Sequence, residues 1–149
     1  PYKAVGHRHT AEVEQEIEAL ANREIRIALS AHAVDIVRGI LSTTHLFTTR
    51  EVEAPEVWRA YRSFYANEPF IRLVRDRRGL YRLPDPKVVV GTNFCDIGFE
   101  IDEHVDRLVV LSSLDNLVKG GAGTAIQNMN LILGIDETTG LLQPSLHPA

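Results

Sequence analysis

The sequence predicts an α+β fold: a mixed, largely antiparallel sheet with helices on one face. Three observations lead there. Apolar residues recur at helical spacing in three separate stretches, and short runs rich in β-branched residues fill the intervals. The spacing of these elements is uneven, which excludes a regular alternation of strand and helix. A chain of 149 residues, 44% apolar and 24% charged, is long enough for one domain with a sizeable core, taken here as residues 1–149.

The first helix is expected over residues 10–22, TAEVEQEIEALAN, with Thr10 as its cap and Val13, Ile17 and Leu20 on one face. Glu12 and Glu14 suit its first turn, where the helix dipole favours carboxylates. EIRIALS, residues 24–30, alternates Ile25, Ile27 and Leu29 against polar neighbours and reads as a half-buried strand. Residues 36–48 form a second strand candidate, bent or bulged at Gly39. Pro55 opens a helix whose stripe is Val57, Trp58, Tyr61, Phe64 and Tyr65, and Asn67-Glu68-Pro69 ends it. A short strand over 70–74 precedes a polar turn at 76–79 and a loop through Pro84 and Pro86. Three more strands are expected over 87–90, 94–101 and 107–113. The last helix spans 121–133, with Gly134 as its stop.

A net charge of −4 argues against a broad nucleic-acid footprint. The patch RDRRGLYR, preceded by WRAYRSFY, has its aromatics at core spacing, and its arginines fit a solvated face or an oligomer contact. The single cysteine, Cys95, rules out an internal disulfide and suits a reducing compartment. No apolar run approaches the roughly 18 residues of a membrane span, so neither membrane nor nucleic acid is an expected partner. The abrupt opening on Pro1-Tyr2-Lys3 reads as a segment of something longer.

GHRHTAEVEQE, residues 6–16, concentrates titratable chemistry at a helix entry. His7 and His9 flank Arg8, and three readings are open. They can form a polar, solvated helix start. They can belong to a metal site completed by His32, His45 or Asp96, although His-x-His without a second ligand pair is a weak zinc signal, and no metal is assigned. Or one imidazole serves as general acid or base, with Glu12 fixing its orientation and Arg8 facing an anionic substrate group. Cys95 sits in an apolar run beside Asp96, and both neighbours work against a thiolate, so it reads as a core cysteine. LDNLVKGGAGTAIQNMN, residues 114–130, carries glycines where strand passes to helix. Backbone N–H groups in such a turn can hold a phosphate or a cofactor, but the pattern is neither a P-loop nor a dinucleotide fingerprint.

Taken together, GHRHTAEVEQE, GTNFCDIGFE and DNLVKGGAGTAIQNMNLILGIDETTGL resemble the C-terminal half of N-acetyl-gamma-glutamyl-phosphate reductases. They are similar as well to the reductases of lysine biosynthesis that act on a phosphorylated aminoadipate held by an amino-group carrier protein. The likeness covers nearly the whole chain. It implies the C-terminal fold of glyceraldehyde-3-phosphate dehydrogenase-like reductases and an NADPH-dependent reduction of an acyl phosphate to a semialdehyde. In that family a cysteine thiolate attacks the acyl phosphate, phosphate leaves, and hydride reduces the thioester. The cysteine and the Rossmann domain that binds most of the NADP both precede the matched region. This chain then corresponds to the substrate and dimerisation half of a cytoplasmic homodimer or homotetramer, and Cys95 is not the nucleophile.

The resemblance assigns acid–base work to His7 with Glu12 as partner, and His9 competes for the role. Arg8 would hold the substrate phosphate or carboxylate, with Arg38 a weaker candidate. Asn116, with Gly120 and Gly121, resembles the place where the chain returns to touch the cofactor, and the last helix would pack on the Rossmann domain. Many acetylglutamyl reductases have proline where Ala11 stands and prolines around the histidine corresponding to His32, and these departures lean the reading towards the lysine or dual lysine/arginine branch. The alternative is a stand-alone oligomerisation or binding module using the sheet face and the Arg72–Arg82 edge.

Overall fold

The computed structural model describes residues 1–75 and 78–147, so the expected turn at 76–79 loses its first two residues from view. The chain divides into two compact units, residues 1–36 and 37–149.

In the first unit, α1 spans His9–Ala21 and starts one residue earlier than the sequence suggests. Arg8 occupies the cap position and makes no side-chain cap bond there. The expected cap, Thr10, instead sends its N–H to the His7 carbonyl at 3.0 Å. Asn22, in the left-handed conformation at φ 51°, closes the helix. No residue of α1 is fully buried, and Val13, Ile17 and Leu20 are exposed.

The strand expected over 24–30 does not form. Its alternation is real, since Ile25, Ile27 and Leu29 are half-buried while their neighbours face out. Its amides, however, go to a helix. Glu18 accepts the Ile25 N–H and Glu14 accepts the Ile27 N–H, each at 2.9 Å. Two carboxylates one helical turn apart thus take the place of a partner strand. Just beyond the segment, Ala31 forms an antiparallel bridge with Lys3.

The second unit is built on a four-stranded sheet in the order β1-β4-β3-β2. β1 is Ile40–Phe47, β2 Ile71–Leu73, β3 Cys95–Asp102 and β4 Arg107–Leu114. β1 pairs antiparallel with β4 (Ile40 opposite Leu114), and β4 pairs antiparallel with β3 (Leu114 opposite Cys95). β2 lies parallel to β3 with Ile71 opposite Cys95. The expected mixed, largely antiparallel α+β architecture is therefore what the chain adopts.

Period-two alternation puts Phe99 and Ile101 of β3 on the same face as Val110 and Leu108 of β4. Helix α2, Ala54–Phe64, covers that face with Val57 and Trp58, and the Trp58 and Phe99 rings lie 4.6 Å apart. The strand expected at 87–90 is instead a short helix, α3, Pro86–Val89. The overlooked signal is Asp85-Pro86: the Asp85 carboxylate accepts the Lys87 N–H at 2.8 Å, and proline occupies the first turn. A π-helical turn over Val118–Ala122 leads into α4, Gly123–Ile132, so the last helix starts in a wider coil than expected.

Candidate active site

The candidate residues gather in two groups, one in each unit. In the first, Gly6 at φ +65° turns the chain into the histidine cluster. The His7 and His9 rings meet edge to face, with centroids 4.8 Å apart. The His9 N–H donates to His7 Nδ1 at 3.3 Å, which leaves the proton of a neutral His7 ring on Nε2. That nitrogen stands 2.8 Å from the Tyr2 hydroxyl.

Glu12 does not partner His7. Its carboxylate lies 3.8 Å from His9 Nε2, a nitrogen that accepts the Arg8 Nε–H at 3.3 Å. One helical turn separates residues 9 and 12, so their side chains share a face, whereas His7 lies ahead of the helix. The cluster is open: His7 is half-buried, and Arg8, His9 and Glu12 are exposed. Tyr2 is the residue that sequence reasoning missed here, because a lone tyrosine five residues away carries no pattern.

The second group lies where the β1–β4 ladder ends. Beyond Ile40 and Leu114, the chain joins residues 38–39 to residues 115–116 twice. Arg38 Nε stands 3.3 Å from Asp115 Oδ2, and Asn116 Oδ1 accepts the Gly39 N–H at 2.6 Å. Asp115 has no exposed surface. Its Oδ1 accepts the N–H groups of Leu117 at 2.7 Å and Val118 at 3.0 Å, and its Oδ2 accepts that of Gly91 at 2.7 Å. Burial alone would raise this carboxyl, but the three amides and Arg38 outweigh it and hold the pKa below the ordinary aspartate value.

Two glycines allow this packing. A Cβ on Gly39, at φ +118°, would come within 2.6 Å of the Pro86 side chain, and one on Gly91, at φ +80°, within 2.6 Å of Leu146. Asp115 went unrecognised in the sequence because one aspartate before an asparagine signals only a turn.

The glycine turn is not the open amide cradle that the sequence allowed. The amides of Leu117 and Val118 go to Asp115, Gly120 donates to the Asp115 carbonyl at 2.9 Å, and Ala122 donates to the Leu117 carbonyl at 2.9 Å. Asn116 still has its Nδ2 hydrogens to offer a carboxamide or phosphate oxygen, because among the described residues only its Oδ1 is committed. Close by in sequence, Lys119 donates to Gln127 at 2.9 Å and lies 5.2 Å from the Phe70 ring centre, and burial pushes its pKa down.

Cys95 is half-buried on β3. Burial first, then the neighbouring Asp96, pushes its thiol up against a smaller opposing effect of Lys119. Two arginines of the Arg72–Arg82 edge, Arg72 and Arg82, are paired with carboxylates of the chain. Arg72 forks onto Asp96 at 2.6 and 3.0 Å, Arg75 lies over Trp58, and Arg82 pairs with Glu100 at 3.2 Å. Arg77 falls outside the described residues. Among the described residues no group of three or more His, Cys, Asp or Glu side chains is placed to hold a metal ion.

Comparison with known proteins adds the following. A family model described as the semialdehyde dehydrogenase dimerisation domain matches residues 1–116. A protein of Cenarchaeum symbiosum, named as a LysW-L-2-aminoadipate/LysW-L-glutamate phosphate reductase, is 55% identical over 148 residues, covering 99% of this chain and 42% of its own length. A protein of the same name from Nitrosopumilus maritimus is 54% identical over the same shares. A protein of Thermomicrobium roseum, named as a LysW-L-2-aminoadipate 6-phosphate reductase, is 50% identical over 99% of this chain and 43% of its own length. The chain thus spans about two fifths of the length of the curated relatives it matches.

Proposed function

The chain belongs to the semialdehyde dehydrogenase dimerisation-domain family, and from that premise we propose that it is the substrate-binding and dimerisation half of an acyl-phosphate reductase. The reaction is the NADPH-dependent conversion of a carrier-protein-linked aminoadipyl or glutamyl phosphate to its semialdehyde, within lysine or arginine biosynthesis. The observation that carries this reading is identity of 50–55% along 99% of the chain to relatives named for that reduction.

The geometry supports a division of labour. His7 turns Nε2 towards Tyr2, and once the ring is protonated this is the nitrogen that gives its proton to an oxyanion or leaving group that replaces the tyrosine hydroxyl. Its second nitrogen is fixed by a backbone amide, which keeps the ring in one tautomer. Glu12 and Arg8 orient His9, the competing candidate. Arg38 offers a guanidinium to the substrate's anionic group, and Asn116 Nδ2 fits a cofactor carboxamide or phosphate oxygen. The nicotinamide cofactor, when bound, supplies the hydride.

The dimerisation part of the proposal is supported by β1. All eight of its residues are exposed, among them Ile40, Leu41, Leu46 and Phe47, the last at 74%. No lysine, proline or carboxylate guards this edge, so its exposed backbone and apolar side chains favour coverage in the assembled protein. Helix α4 and the residue after it, Leu133, likewise expose a strip of Ile126, Met129 and Leu133 that fits contact with the remaining three fifths of the enzyme.

The test is NADPH oxidation by the full-length protein with carrier-linked aminoadipyl phosphate, carrier-linked glutamyl phosphate and N-acetylglutamyl phosphate as substrates. Turnover of at least one of the two carrier-linked substrates is expected. Turnover of none of the three, or an unchanged rate after His7→Ala combined with His9→Ala, overturns the assignment.

A further inference from the structure

We infer that Asp115 is a positioning residue that holds Arg38, the substrate-anion ligand, in register with Asn116, the cofactor ligand. The inference rests on the proposed role of Arg38 and goes beyond it, because Asp115 touches neither substrate nor cofactor.

Five adjacent contacts carry it. One carboxylate oxygen, Oδ1, caps the turn on which Asn116 sits, through the Leu117 and Val118 amides at 2.7 and 3.0 Å. The other, Oδ2, faces Arg38 Nε at 3.3 Å and accepts the Gly91 amide at 2.7 Å. Asn116 closes the ring by accepting the amide of Gly39, the residue next to Arg38, at 2.6 Å. Two dipeptides far apart in sequence are therefore bound to each other through a single buried carboxylate and a single amide side chain.

The guanidinium has its counter-charge on the Nε side, at ion-pair distance. Arg38 is 30% exposed, its Nε side faces Asp115, and its two terminal nitrogens make no hydrogen bond or ion pair among the described residues. Two uncommitted terminal nitrogens on one guanidinium plane match two oxygens of a phosphate or carboxylate. A free arginine side chain loses rotamer entropy when it orders on a ligand, and a buried counter-charge behind it removes part of that cost before binding. Asp115 cannot serve as a ligand itself, because every face of it is covered. Its effect on substrate has to pass through Arg38.

A double-mutant cycle in the full-length protein tests this with two readouts: KM for the acyl phosphate, and the Kd for inorganic phosphate by titration calorimetry. Arg38→Met is expected to raise both about 10- to 100-fold, the worth of a charged hydrogen-bond pair. Asp115→Asn is expected to raise both by a similar factor with kcat within about threefold, and to add nothing in the Arg38→Met background. Losses that add independently mean that Asp115 acts only through stability and overturn the inference. An Arg38→Met protein with unchanged KM and Kd overturns it as well. Should Asp115→Asn fail to fold, as judged by circular dichroism, Asp115→Glu enters the same cycle, since it keeps the charge but displaces the guanidinium by a methylene. If the wild-type protein turns over no acyl phosphate yet the phosphate cycle collapses as described, the reductase reading falls and the role of Asp115 stands.

Discussion

Residues 1–36 place two imidazoles, a guanidinium and a carboxylate around a helix with no fully buried residue, whereas residues 37–149 seat Arg38 against a carboxylate with no exposed surface. In the first unit the reactive groups contact mainly one another, Tyr2 and local backbone. In the second, the corresponding groups are tied to the sheet through Asp115 and through backbone amides from three separate segments. An exposed imidazole keeps the freedom to exchange protons with what it meets, and a guanidinium that must recognise an anion gains from being fixed beforehand. Proton transfer and recognition thus make different demands on packing, and the two units meet them differently.

Substitutions can break or sharpen this contrast. The largest effect is expected for His7→Ala in the full-length protein: a fall in kcat of about 10²- to 10⁴-fold, the usual worth of general acid–base catalysis, with little change in thermal unfolding. A large loss of thermal stability instead would show that the histidine cluster is structural. Asp115→Ala should do the reverse and destabilise the sheet unit by about 3–5 kcal/mol, because it leaves Arg38 without its counter-charge and three part-buried amide bonds without their acceptor. Thermal or urea unfolding measures it, and a change under about 1 kcal/mol would contradict the geometry.

The same carboxylate should give the sheet unit an acid limit. Its folded pKa lies below the ordinary value of 3.8, so its stabilising contribution is complete above that value and is lost as pH falls through the lower, folded one. Amide exchange at Leu117 and Val118 is expected to stay protected down to about pH 4 and to accelerate below it. Acceleration already near neutral pH would mean that the carboxylate is not ionised and bonded as described. Glu18→Ala is expected to cost only about 0.5–1.5 kcal/mol, the net value of one hydrogen bond, and to release the Ile25 amide to fast exchange while the sheet amides are unaffected. The smallest effect falls on Cys95, whose raised pKa should make it react with iodoacetamide at pH 7 more slowly than a free thiol. A rate equal to or above that of glutathione would reveal a thiolate at Cys95.

Much of the fold was legible where a pattern was local and strong. The β3 and β4 strands formed within a residue or two of expectation, and of the α2 stripe Val57 and Trp58 are buried and Tyr61 and Tyr65 half-buried, whereas Phe64 is exposed. Errors arose where another element supplied the hydrogen-bond partner. EIRIALS has a strand's alternation, but glutamates on α1 satisfy its amides. Residues 87–90 have a strand's composition, but Asp85 and Pro86 nucleate a helical turn. Of the candidate site, the histidines and Arg8 were readable because they are contiguous, and the same contiguity suggested the wrong partner for Glu12, which faces His9.

The amino-acid sequence by itself determined which residues carry charge and protons, the period of each element, and the family to which the chain belongs. Those properties depend on residue type and on neighbours within a few positions. Only the tertiary structure decided that Asp115 is buried, that it backs Arg38 and that Asn116 binds Gly39. Each of these depends on two segments brought together by strand register, and register is set by the whole sheet rather than by any stretch of chain within it.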